Sequence, residues 1–166
     1  MASQPKQRAL SPAAFFEDGR SERPLVDGTV ARGSLDEDAL ALPKDSSAFP
    51  LPVTQDLLER GAERYHIFCS VCHGTLGDGN GMVVQRGFRR PSSYHLDRLR
   101  QAPNGYFYDV MTNGFGAMPD YAAQIPPRDR WAIVAYIRAL QLSQHASLAE
   151  LPPAVRENLV PRGAAK

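Results

Sequence analysis

The chemistry of this 166-residue chain is concentrated in Cys69-Ser70-Val71-Cys72-His73. Two thiols three positions apart, followed at once by an imidazole, form C-x-x-C-H, the attachment signature of c-type haem. The spacing has a mechanical reason. Near a helix end, thiols three residues apart can add to the two vinyl groups along one haem edge, and His73 is then placed to ligate the iron. Two other chemistries use parts of this pattern. A thioredoxin-like dithiol needs a βαβ context, and no alternating strand pattern is visible. A zinc site needs more ligands, and the spacing of His66, His95 and His145 matches no common zinc pattern.

A haem iron bound by His73 needs a sixth ligand or leaves an open position. Met82 lies only nine residues past His73, in a glycine-rich loop too short to wrap over the ring. Met111 falls within a helical segment and reads as core filler. Met118 follows His73 by 45 residues, in Asn113-Gly114-Phe115-Gly116-Ala117-Met118-Pro119. The glycines let that loop lie close to the haem face, and Pro119 stiffens it. Met118 is the expected sixth ligand, with His95 as its rival. A Met/His pair fills both axial positions and raises the reduction potential, which favours electron transfer over gas binding. The Pro91 carbonyl is a candidate to hold the second nitrogen of His73, the alternative being a simple turn proline. Arg86, Arg89, Arg90, Arg98 and Arg100 suit haem propionates, an acidic docking surface or a solvated face.

Helices must position these groups. The first is predicted over about Gln55–Val71, with Thr54 as N-cap and Leu58, Ala62, Tyr65 and Phe68 on one face. Glycine-rich chain follows from Gly74 to Gly87. A middle helix is expected over about Gly105–Thr112 with Asn104 as its cap. The last runs over about Pro127–Gln141, Pro127 suiting a first turn. Trp131 and Tyr136 are expected to pack on the first helix near Gly61, which has no side chain and allows a close approach. One more short helix is expected near Ala154–Leu159.

Residues 1–50 read as an extended arm, 51–145 as the haem domain and 146–166 as a tail. The arm holds five prolines and ten leucine, valine and phenylalanine residues, among them Phe15, Phe16, Val26 and Val30, with no helical or strand period. It has six basic and eight acidic residues. A formal net charge of +1 for the whole chain argues against nucleic-acid binding. The longest apolar run, Trp131–Ile137, is seven residues. A membrane span needs about 20, so none is expected. No apolar stretch follows Met1, so no signal peptide is expected. Two cysteines exclude a disulfide-rich scaffold.

Residues 55–142 resemble a class I cytochrome c, an all-α fold of few helices around one covalent haem c. Further segments resemble one group more closely. They are Gln4-Pro5-Lys6, Phe15-Phe16-Glu17-Asp18-Gly19-Arg20-Ser21, Gly28-Thr29-Val30-Ala31-Arg32-Gly33, Val83-Val84-Gln85-Arg86-Gly87-Phe88, Thr112 through Pro119, and Gln124 through Leu140. That group is the monohaem cytochrome c component of bacterial alternative complex III, a quinol-oxidising respiratory enzyme. The resemblance implies an electron-transfer subunit without a catalytic site of its own. Its partners would be other subunits of a membrane complex, including a multihaem cytochrome, and a terminal oxidase or soluble carrier. It also implies the periplasmic face of the bacterial cytoplasmic membrane, peripheral or lipid-anchored. Members of the group often carry a lipidated N-terminal cysteine, for which Met1-Ala2-Ser3 offers no counterpart. A free periplasmic shuttle is the alternative, and a haem ligand sensor or small peroxidase would need the Met118 position weak or vacant.

Overall fold

The structure is a computed structural model that describes residues 4–8, 11–24, 26–30, 40–147, 149, 151–153 and 155–156. Its helices are α1 (Gln55–Phe68), α2 (Ser70–His73), α3 (Asp97–Arg100), α4 (Asn104–Asn113) and α5 (Pro127–Ser143). Pairing between extended segments is confined, among the described residues, to two isolated bridges, Pro12 with Arg20 and Phe115 with Met118. No helix among the described residues is long and apolar enough to cross a membrane.

The crossing of α1 and α5 organises the helices. Thr54 caps α1 by accepting the Leu57 N–H at 3.2 Å, which satisfies one orphan donor of the first turn. The buried residues of α1 are Leu57, Gly61 and Tyr65. Of the expected face, Tyr65 is buried and Leu58 and Phe68 pack half-buried on the core, with Leu57 and Gly61 rather than Leu58 and Ala62 fully inside. Counting only large side chains hides the reason. Gly61 is itself the contact point, because a Cβ there would overlap the Ala132 carbonyl of α5. The bare backbone brings the axes close, and the residues a turn to either side of Gly61 face inward with it. At one side of the crossing, Arg60 donates to both carboxylate oxygens of the nearly buried Asp129, at 2.9 and 2.8 Å. Such bidentate pairing fixes orientation as well as distance. Tyr136 meets Tyr65 here, ring centroids 5.3 Å apart. Trp131, in the same core cluster as Tyr65, stacks on Tyr108 of α4 at 4.6 Å, and its indole N–H donates to the Leu40 carbonyl.

That last bond revises the expected boundary at residue 50. By contacts, the chain divides into residues 1–38 and residues 39–166. Within the second unit, residues 40–51 form a strap on the helices. Phe49 sits edge-on to Trp131 at 5.7 Å. The Ser46 carbonyl accepts the Gly105 N–H at 2.8 Å, and the Ser47 carbonyl accepts from Asn104 Nδ2 at 2.6 Å. Gly105 has no room for a Cβ against the Pro43 carbonyl. Asn104, expected as the cap of α4, lies inside the helix, and Pro103 takes the cap position. The Asn104 side chain is committed to the strap and to Arg138 Nε, which leaves none of it for capping.

The first unit carries a closed loop over residues 11–21. Ala13 N–H donates to the Gly19 carbonyl at 2.9 Å, and Ser21 Oγ donates to the Ser11 carbonyl at 2.8 Å. Gly19 has φ +67, a backbone region that favours glycine. Arg23 pairs with Asp18 at 2.7 Å and covers the Phe16 ring at 4.2 Å. The expected Ala154–Leu159 helix lies largely outside the described residues.

Gly61→Val should destabilise the protein by about 1–3 kcal/mol, towards the upper end because the obstacle is backbone rather than a movable side chain. Thermal or denaturant unfolding measures it, and an unchanged curve would mean that the helices do not cross here.

Candidate haem site

The C-x-x-C-H segment is a break and restart of helix. The Cys69 N–H still donates to Tyr65 O at 2.8 Å, but Cys69 ends α1, and Ser70–His73 form the separate turn α2. The sequence-based helix through Val71 runs past this break. Gly74, at φ +78, terminates α2. The carbonyls at the end of such a turn have no helical partner and must be paired. The returning glycine loop supplies the donors. Gly79 N–H donates to the His73 carbonyl at 2.8 Å, Gly81 N–H to Cys72 at 3.1 Å, and Val83 N–H to Val71 at 3.1 Å. Gly81 presses so close to the Val71 carbonyl that no Cβ would fit. The buried Tyr65 hydroxyl donates to the Gly74 carbonyl at 2.7 Å, tying the turn back to α1.

Cys69 is buried, Cys72 is half-buried, and both are free thiols. Burial, with Cys72 beside it, pushes the Cys69 thiol up to about 12, so it is protonated near neutral pH. Burial pushes the His73 imidazole down to about 4. His73 is therefore neutral at pH 7, the form that can ligate a metal. Its ring stacks on Tyr94, centroids 4.7 Å apart and planes 10° from parallel.

Met118 is half-buried and packs against the same apolar cluster as Cys69, Tyr94 and Met111. Its loop closes on itself. Phe115 N–H donates to the Met118 carbonyl and Met118 N–H to the Phe115 carbonyl, both at 3.0 Å. Gly114 and Gly116 take φ +77 and +59 to allow this. Tyr121, three residues on, lies near enough to both thiols for them to help raise its hydroxyl, after burial. The Met118 loop and the thiol pair thus share one region, although 45 residues separate Met118 from His73.

Other candidates fall differently. Met82 is exposed, and Met111 is buried core as expected. His95 hydrogen-bonds through Nε2 to the Leu76 carbonyl at 2.7 Å and stacks against His145. The expected bond between His73 Nδ1 and the Pro91 carbonyl is not formed. Nδ1 is buried without a partner, and the Pro91 carbonyl lies instead against the Cα of Gly79. Arg86, Arg89, Arg90, Arg98 and Arg100 are exposed. Arg90 donates to the Asp78 carbonyl, and Arg100 meets Asp97 at 3.3 Å. Tyr94 and Tyr121 were not singled out in the sequence; the one available signal was an aromatic residue just beyond each proline, Pro91 and Pro119.

These residues fit a covalent haem. Two free thiols and a neutral imidazole with a buried, unpartnered Nδ1 adjoin the apolar cluster that holds a thioether. No group of three or more His, Cys, Asp or Glu that could hold a bare metal ion occurs among the described residues.

Fold and site together define an all-α domain of the class I cytochrome c kind, which binds haem c covalently and transfers electrons. Residues 56–137 match the family described as cytochrome C oxidase, cbb3-type, subunit III. Among solved structures, the chain is similar to the Kuenenia stuttgartiensis reducing HAO-like protein complex Kustc0457/Kustc0458 at 24% identity and a TM-score of 0.49. That similarity covers 59% of this chain and 50% of the other, so this chain spans half the length of that neighbour. No curated protein matches the chain.

Tyr65→Phe would remove the shorter of the two hydrogen bonds to the buried Gly74 carbonyl, leaving it the Gly77 N–H at 3.3 Å. The expected cost is about 1–3 kcal/mol, read by unfolding of the haem-loaded protein; a wild-type curve would show that the bond does not hold the turn.

Proposed function

We propose that this chain is the monohaem electron-transfer subunit of a quinol-oxidising respiratory membrane complex of the alternative complex III kind. It sits at the periplasmic face of the membrane, receives single electrons from neighbouring haems and passes them to a terminal oxidase or soluble carrier. It is not an enzyme by itself. Cys69 and Cys72 would hold one haem c by thioether bonds, and His73 and Met118 would ligate its iron. When bound, the haem supplies a one-electron centre whose potential a Met/His pair raises. The chain's own contribution is to keep His73 neutral and to hold Met118 on a closed loop.

The observation that carries the complex reading is the first unit. Phe15, Val26 and Val30 are 85%, 72% and 59% exposed there. A freely diffusing shuttle gains nothing from such an arm, whereas an assembly element gains apolar area to bury. Fully burying a side chain of this size contributes about 1.5–3 kcal/mol. The arm segments that resemble the alternative complex III cytochrome point the same way.

Two experiments test this. Met118→Ala should abolish the Met-to-iron charge-transfer band of the oxidised protein and lower its reduction potential; an unchanged band would remove Met118 as ligand. Deletion of residues 1–38 should leave the visible spectrum unchanged and release the haem domain from the membrane complex during native purification. The cut belongs at 38 because residues 40–51 pack on Trp131 and α4. Full co-purification of the truncated protein would refute the assembly role of the arm.

A further inference from the structure

No group among the described residues bonds the second nitrogen of His73, so something else must set the plane of its ring. A histidine χ2 torsion is broad and roughly two-fold. Axial histidines are ordinarily oriented by a hydrogen bond from the other ring nitrogen. Here Nδ1 is buried and unpartnered, and the Pro91 carbonyl that could have taken it faces Gly79. What does face the imidazole is a flat aromatic ring. Tyr94 lies 4.7 Å away and within 10° of parallel.

Tyr94 can impose a plane because it is itself fixed from several elements. Its N–H donates to the Gly77 carbonyl at 2.8 Å. Its carbonyl accepts from Nε2 of the buried Gln141 on α5, also at 2.8 Å. Phe107 of α4 meets the ring edge-on at 6.2 Å, and Tyr65 of α1 lies at 6.4 Å. Gly77 lies against the ring edge, where a Cβ would come within 2.7 Å of Tyr94 Cδ2. Elements α1, α4, α5 and the glycine loop therefore converge on one ring, and that ring lies flat on His73.

We propose that Tyr94 is a positioning residue that sets the plane of the His73 imidazole by stacking, in place of a hydrogen bond to Nδ1. This rests on the reading of His73 as an axial ligand. The plane of an axial imidazole determines the orientation of the orbital holding the unpaired electron in the ferric state. The ring of Tyr94, not its hydroxyl, does the positioning.

The test uses the full-length, haem-loaded protein and its ferric electron paramagnetic resonance spectrum, which reports ligand identity and plane, with a melting curve alongside. Tyr94→Phe keeps the ring and should reproduce the wild-type low-spin g values. Tyr94→Leu removes the flat face and should shift or split the low-spin signal. Gly77→Ala, which presses a methyl group on the ring edge, should shift it too, and it serves if Tyr94→Leu does not load haem. A single wild-type signal in Tyr94→Leu, whatever its melting temperature, would overturn the proposal. So would a wild-type signal in Gly77→Ala, or a shift in Tyr94→Phe equal to that in Tyr94→Leu. If the wild-type low-spin signal persists in His73→Ala, the axial assignment itself fails, a result distinct from any produced by the Tyr94 variants.

Discussion

Everything in the helical unit depends on one close approach, the backbone of α1 at Gly61 against the backbone of α5 at Ala132. A side chain at Gly61 would hold the helices apart. Without one, Tyr65 reaches both Tyr136 and the Gly74 carbonyl. The Arg60–Asp129 pair adds direction to this contact. Asp129 is buried, so its charge requires a partner, and Arg60 meets it with two parallel bonds. The Arg60 side chain is 42% exposed and Arg64 Nε also lies 3.4 Å from Asp129, so the pair acts on the crossing through its fixed direction more than as a gain in stability.

From that crossing the site is built by satisfying backbone. The turn at Cys69–His73 pairs the Cys69 and Ser70 carbonyls itself but is too short to pair its last three. The glycine loop returns to donate to three in succession, at Val71, Cys72 and His73. This explains why the loop is rich in glycine: its backbone runs against other backbone, at Pro91 for Gly79 and at Val71 for Gly81. The thiols, the imidazole and the Met118 loop are thereby held on an apolar cluster that disfavours charge, which accounts for a neutral His73 and a protonated Cys69.

The arm separates into two physical roles. Residues 40–51 satisfy groups the helices cannot satisfy alone, namely the Trp131 indole N–H, the Gly105 N–H and the Asn104 amide. Residues 11–21 close on themselves by hydrogen bonds between chain segments near in sequence, and Phe15 remains exposed. Both stretches mix proline with a few large apolar residues, Pro12, Phe15 and Phe16 in one and Pro43, Pro50, Leu42 and Phe49 in the other, so composition could not separate strap from arm.

Residue type and short spacing were sufficient for whatever depends on neighbours in the chain. C-x-x-C-H defines haem attachment because both thiols and the imidazole act within five residues. Thr54 caps α1, and Pro127 begins α5, through bonds within a single turn. Gly61 was legible as an approach point because an absent side chain has few other uses mid-helix. What tertiary structure alone decided are relations between distant segments. Trp131 bonds to Leu40 and stacks on Tyr108, because an indole N–H follows a buried acceptor that sequence distance hides. The inward face of α1 centres on Gly61, a residue that apolar counting omits. His73 has the stacked ring of Tyr94 beside it while its Nδ1 makes no hydrogen bond, a choice set by elements that converge from three helices. Such choices depend on which groups remain unpaired after the helices have packed, and no local pattern carries that information.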